Sequence, residues 1–247
     1  MLPLPADYYA PDPPAIRPAE RVSAIIEILI CSGLPTQVLL ITALRGFGMQ
    51  MEQAGGGVNP TFLFTVALLD AAAVIGLVIV MLRVHGESPR DVLLGRVRLL
   101  REAGVGISMI PLAFALVIVI LGLVLTYAPQ LHNVARNPLE DMLRNRTDTM
   151  IFAVVVMVAG GVREEIQRGF ILHRFGQYLG GGMFGVLIYS LIFGLGHYEQ
   201  GYDASIATAA LGAFWGLVYL RRGSIVAPMV SHAGFNLVQI LKHVSLR

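Results

Sequence analysis

Charge is what this sequence has least of. Only 14% of its 247 residues are Asp, Glu, Lys or Arg, where a soluble domain carries about 25%. So little charge excludes an ordinary water-facing surface, and the mean hydropathy of +0.70 agrees. Cysteine is scarcer still. Cys31 stands alone, which excludes an internal disulfide framework and a zinc site built on thiolates. Its apolar surroundings make it a small core or lipid-facing side chain. Lysine occurs once, at Lys242, and the net charge is +2. With no basic stripe interleaved with aromatics, no nucleic acid is expected as a partner. No secretory signal peptide is read at the start. Residues 1–21 are proline-rich and mixed in charge, and are expected to form a disordered tail.

What the chain does have is apolar runs long enough to cross the roughly 30 Å of a bilayer. The expected fold is all-α: a polytopic transmembrane helical bundle of about seven to eight spans, an integral membrane protein with lipid as its surroundings. Residues 22–149 hold Val22–Leu44, with a kink at Pro35, then Phe62–Leu82, then Gly104–Thr126, interrupted by Pro111. Between the last two, Arg83–Ala103 alternates Leu and Val with Arg, the pattern of an amphipathic helix on the membrane surface. Residues 150–241 hold Met150–Phe175, Met183–Gly196, Ala204–Leu220 and Ser224–Leu241. Gly212 and Gly216 are spaced for close helix contact. With seven spans, the side shared by the N-terminus and the 83–103 loop carries ten basic residues against six. The N-terminus is therefore expected in the cytoplasm.

Three polar constellations interrupt the apolar helices of the second half: Glu164-Glu165 with Arg168, Phe193 with His197, and His232 with Asn236. Ionisable groups at membrane depth cost a few kcal/mol each, and usually face a protein interior or a wet cavity. On a helix, Glu164 and Arg168 are four apart and can pair, leaving Glu165 turned about 100° away. One carboxylate would then be structural and the other chemical. His232 and Asn236 also share a face. A carboxylate and a histidine can activate a water, while a second histidine and an amide can hold the charge that grows on a carbonyl oxygen. Glu164, His197 and His232 are equally candidate ligands for one divalent metal such as zinc. No His-Glu-x-x-His pair occurs, and the residue types leave metal and metal-free chemistry both open. Buried separately, the same groups would be ion pairs and interhelical hydrogen bonds. A catalytic cavity between the C-terminal helices is what they predict together.

The order of these motifs resembles that of the CAAX prenyl protease and bacteriocin-processing family of intramembrane proteases, also called the ABI family. Its Glu-Glu…Arg, Phe-x-x-x-His and His-x-x-x-Asn motifs match Glu164–Phe170, Phe193–His197 and His232–Asn236, within about residues 150–241. The resemblance implies an intramembrane endopeptidase, a metallo- or glutamate-type hydrolase, and a catalytic core over 150–241. It implies that the first glutamate and the Phe-x-x-x-His histidine activate water, and that His232 and Asn236 support the oxyanion. Arg168 and Phe193 would support the site. The implied substrate is a membrane-associated or lipidated protein or peptide. The implied location is a bacterial inner membrane. One departure stands out: only Ile166 and Gln167 separate Glu165 from Arg168, where the family usually has three residues. Aligned on the acids, Glu164 is the first glutamate; aligned on Arg168, it is the second. Glu164 satisfies both alignments and is taken as the base, with Glu165 as its support. The shortened spacing also sustains an alternative, a non-catalytic scaffold or immunity-type protein that retains the fold.

Overall fold

The computed structural model describes residues 16–53, 57–135, 137 and 145–245. Residues 1–15 of the expected tail lie outside them, as do Arg136 and Arg144, which entered the count of basic residues. The described elements are α1 (Pro18–Ile30), α2 (Leu34–Gly46), α3 (Pro60–Val84), α4 (Leu99–Tyr127), α5 (Arg146–Val155), α6 (Glu164–Tyr178), α7 (Gly182–Leu195), α8 (Tyr202–Arg222) and α9 (Val226–Ser245). A π-helical stretch, Val156–Arg163, joins α5 to α6 without a break. Among the described residues no strand forms, and Glu52 and Val58 make only an isolated bridge. The fold is an all-α bundle.

Four stretches are long and apolar enough to cross a membrane: α1 and α2 together, α3, α4 and α8; α7 is a shorter apolar helix. Contacts at the two ends fix the topology. At one end His132 bonds Asp203 (2.7 Å) and Asn133 accepts from the Tyr202 amide (2.8 Å), tying the segment after α4 to the start of α8. At the other, Arg222 at the end of α8 binds Glu102 in the first turn of α4. Helices α4 and α8 therefore run antiparallel. Leu29, Leu39, Ile107, Ile118, Leu187 and Leu191 point outward and are more than half exposed, an apolar rim suited to lipid.

Helix α6 is the enclosed centre. Phe170, Ile171, Leu172 and Phe175 pack with Val74, Val78 and Leu82 of α3 and with Val186 and Tyr189 of α7. Helices α7 and α8 meet where Gly212 lies under Phe193 and Ser190, and Gly216 under Val186. The Gly-x-x-x-Gly spacing therefore does what it predicts.

Two stretches differ from the sequence expectation. The run Val22–Leu44 lies within one candidate span, Pro18–Gly46, but it is built of two helices and is not kinked at Pro35. The break falls at Cys31–Gly33, where Gly33 takes φ +84°, and Pro35 sits in the first turn of α2, where its missing N–H costs nothing. Open backbone at membrane depth must find partners inside the protein. Gln167 donates to the Cys31 carbonyl (2.6 Å) and Thr36 to the Gly33 carbonyl (2.9 Å). The second stretch is Arg83–Ala103, which is not a surface helix. Helix α3 continues to Val84, a single π turn follows at Arg90–Leu94, and α4 begins at Leu99. Gly95, at φ +68°, ends the turn, and its leucines go inward rather than along the membrane. Leu93 is buried, its carbonyl accepts from the Ile225 amide (2.8 Å), and Tyr219 donates to Val92 (3.2 Å).

Candidate active site

The site is built on the continuous helix Arg146–Tyr178 and on α7, α8 and α9. The π stretch just before Glu164 contains Gly160-Gly161. A Cβ on Gly161 would stand 2.6 Å from that of Ala233, and one on Gly160 would stand 2.6 Å from Asn236 Nδ2. Bare backbone here lets the stretch lie flush on α9. Asn236 then donates to the Val156 carbonyl (3.4 Å), and His232, one turn earlier, faces the two glutamates. Such π windings recur at functional sites because they re-aim side chains without ending the helix.

Three successive ionisable residues leave this helix in three directions. Arg163 turns to Asp70 on α3 (2.8 Å). Glu164 turns into a cavity of about 390 Å³. Glu165 turns to α9 and is 1% exposed. The expected pair Glu164–Arg168 does not form. It is Glu165, three residues from Arg168, that holds the guanidinium. Positions three and four away are both neighbours on a helix, and here Arg168 takes the carboxylate three residues before it, the one that also meets His232 of α9. Arg168 is fully buried among rings, with its guanidinium 5.0 Å from the centre of Phe193, 5.4 Å from Tyr189 and 5.6 Å from Trp215. Electron-rich faces take the place of a second carboxylate there.

His232 Nδ1 lies 2.8 Å from Glu165 Oε1, and its Nε2 lies 3.8 Å from Glu164 Oε2. A carboxylate only accepts, so Nδ1 carries the proton and Nε2 is the nitrogen turned to the cavity. Trp215 stacks on the ring at 3.9 Å and is held in turn by its own N–H to Ser231 (3.2 Å). His197 follows α7 and obeys the same logic. Its Nδ1 bonds the Phe193 carbonyl at 2.8 Å, so in the neutral ring Nε2 keeps a free lone pair. Phe193 meets the His197 ring edge-on at 4.9 Å.

Glu164, Phe193, His197, His232 and Asn236 all line the one cavity, with Trp215. Glu165 and Arg168 lie behind its wall. Among the described residues no group of three or more His, Cys, Asp or Glu converges closely enough to hold an ion.

Two partners escaped the sequence reading. Trp215 is the chain's one tryptophan, placed within a span rather than at a membrane interface where tryptophan collects. Asp70 is a lone carboxylate in the apolar run Phe62–Leu82, and the cost of charge at membrane depth flags it just as it flags Glu164. Each carried a signal that was available.

With this geometry in hand, known proteins were compared. Residues 146–238 match the family model described as "Rce1-like: Type II CAAX prenyl endopeptidase Rce1-like". No curated protein and no solved structure matches the chain. The matched stretch holds all three motifs and every residue that lines the polar side of the cavity from Glu164 to Asn236. The match covers 93 of the 247 residues, and over them the chain is similar to type II CAAX prenyl endopeptidases.

Proposed function

We propose that this protein is an intramembrane endopeptidase that hydrolyses a peptide bond with a water activated by Glu164 and His197. The observation that carries this is the division of labour between the glutamates. Glu165 is committed to Arg168 and His232, while Glu164 lines the cavity and, among the described residues, makes no ion pair with an arginine. A water between Glu164 and the free Nε2 of His197 loses a proton to the carboxylate as its oxygen attacks the carbonyl carbon. The oxygen of that carbonyl becomes an oxyanion, with the Asn236 amide as its donor and the ring of His232 beside it. As the tetrahedral intermediate collapses, the C–N bond breaks and the proton held by Glu164 passes to the leaving amine. Glu165, by accepting from Nδ1, fixes the orientation of the His232 ring.

The substrate in this proposal is a membrane-associated or lipidated polypeptide, delivered to a site that sits within the bundle. The test is hydrolysis by the protein in lipid vesicles, offered lipidated and unlipidated peptide libraries, with products read by mass spectrometry. Cleavage that Glu164→Gln abolishes is expected. Cleavage that survives Glu164→Gln, His197→Ala and His232→Ala at full rate would leave the scaffold alternative standing. We also place the N-terminus in the cytoplasm, from the excess of arginine on its side of the membrane. A fluorescent or enzymatic reporter fused at Met1 checks this, and periplasmic activity would refute it.

A further inference from the structure

We infer that Asp70 is a positioning residue for Glu164, acting through Arg163; the idea rests on the peptidase proposal above. Arg163 is the residue immediately before Glu164, and its guanidinium bonds Asp70 Oδ2 at 2.8 Å. Both are buried, Asp70 at 3% and Arg163 at 8% exposure. The seat is prepared from three elements. Thr36 and Gln37 of α2 donate to the Asp70 carboxylate. The break at Gly33 leaves the space that the guanidinium fills, since a Cβ at Gly33 would collide with it. Asp70 itself sits midway along α3. Neither member of the pair lines the catalytic cavity, yet α2, α3 and the break before α2 all shape its seat.

The need for such a tether follows from what precedes it. The eight residues Val156–Arg163 are π-wound, a winding with poorer hydrogen bonding than an α-helix, and they include Gly160-Gly161. A stretch of this kind fixes the rotation of the next residue loosely. Side chains on one helix turn together, about 100° per residue. Whatever holds Arg163 against α3 therefore sets the direction of Glu164 into the cavity, and of Glu165 onto His232. The pair acts as an indexing pin on the N-terminal side of the glutamates, while Arg168 with its aromatic rings acts on the C-terminal side. A reacting carboxylate displaced by about 1 Å loses on the order of 100-fold in rate, so a pin outside the cavity still governs the chemistry.

The experiment reads the position of residue 164 directly, without any turnover. The only native thiol, Cys31, is fully buried and is replaced by serine. Glu164→Cys is then introduced, and its reaction rate with a water-soluble cationic methanethiosulfonate is measured in the vesicle-reconstituted protein. With Asp70 intact the cavity-facing thiol is labelled. Asp70→Asn is expected to slow labelling by about tenfold or more, a fraction of the cost of a misplaced reacting group. Asp70→Glu, or the exchange Asp70→Arg with Arg163→Asp, is expected to restore the rate to within about threefold, because either restores a charge pair across the same gap. An unchanged rate in Asp70→Asn overturns the inference. So does a slowed rate that neither restoring variant recovers, since that is loss of the fold and not of the pin. Failure of the peptidase proposal shows elsewhere, as hydrolysis that survives Glu164→Gln.

Discussion

Helix α6 carries two fully buried arginines six residues apart, Arg168 and Arg174, and their surroundings are opposites. Arg174 is ringed by acceptors, which take its Nε and Nη1. Glu27 of α1, Glu87 of the connection after α3 and Gln177 all accept from it. His85 and His173 close the ring on the same two carboxylates. Arg168 has one carboxylate, Glu165, and three aromatic faces. Where the first cluster spends every acid on its cation, the second leaves one, Glu164, facing a cavity. The comparison teaches that a buried charge does not by itself mark chemistry. An acid held at membrane depth and left without a cation does.

The sharpest way to break the comparison is to neutralise the spare acid. Glu164→Gln keeps the shape and removes the base. Its turnover is expected to fall by at least on the order of 10²- to 10⁴-fold, the scale for losing an acid–base group, while Glu165→Gln leaves measurable hydrolysis. The opposite ranking in single-turnover assays would exchange the two roles. Next in size is the structural cluster. Arg174→Met leaves the buried Glu27 and the partly buried Glu87 without their arginine and should destabilise the bundle by about 3–5 kcal/mol, read as a lower unfolding midpoint in detergent. If it instead removed hydrolysis and left stability intact, the assignment of this cluster to structure would fail. Smaller again is Gly161→Ala. Its new methyl would press on Ala233, and overpacking of that kind costs about 1–3 kcal/mol. Both the midpoint and the hydrolysis rate should drop, because the methyl pushes α9, and His232 with it, away from Glu165.

The smallest effect is expected at Glu87, outside the spans. Burial pushes its carboxyl up, but hydrogen bonds from His173, Arg174 and Gln177, with the charge of Arg174, outweigh that and hold it below the ordinary carboxylate value. A depressed carboxylate contributes stability that is present above its unfolded value, near 4.3, and is lost as pH falls through the folded one. The unfolding midpoint of the wild-type protein should therefore decline on acidification below about pH 4.5. Glu87→Gln should start lower and show a shallower acid limb. Parallel acid limbs for the two proteins would remove Glu87 from the account.

How much of this was legible beforehand depended on which physical signal each part carries. The all-α bundle and the cavity residues Glu164, His197, His232 and Asn236 were legible because polar side chains in an apolar run have few affordable places to go. The partner of Arg168 was not. Positions three and four away are both neighbours on a helix, and spacing alone does not choose between them; the carboxylate that takes Arg168 is the one that also meets His232, 67 residues along the chain. The π stretch was hidden because its composition is that of any apolar helix. The inward turn at Arg90–Leu94 was hidden because alternating Leu and Arg fit a membrane surface as well as they fit a docked segment. Only the Ile225 and Tyr219 contacts distinguish the two.

The break at Cys31–Gly33 has a consequence in time. Its exposed carbonyl is satisfied by Gln167, 136 residues further along the chain. At 5–20 residues per second, synthesis separates the two by roughly ten seconds. During that interval the Cys31 carbonyl lacks this partner, and a continuous helix would supply none, because Pro35, four residues on, has no N–H to donate. The break is satisfied only when α6 arrives with Gln167 and Arg163. The α1–α2 segment is thus among the last parts described to take its final shape, and the seat for Arg163 is completed by the same event that delivers Glu164 to its cavity.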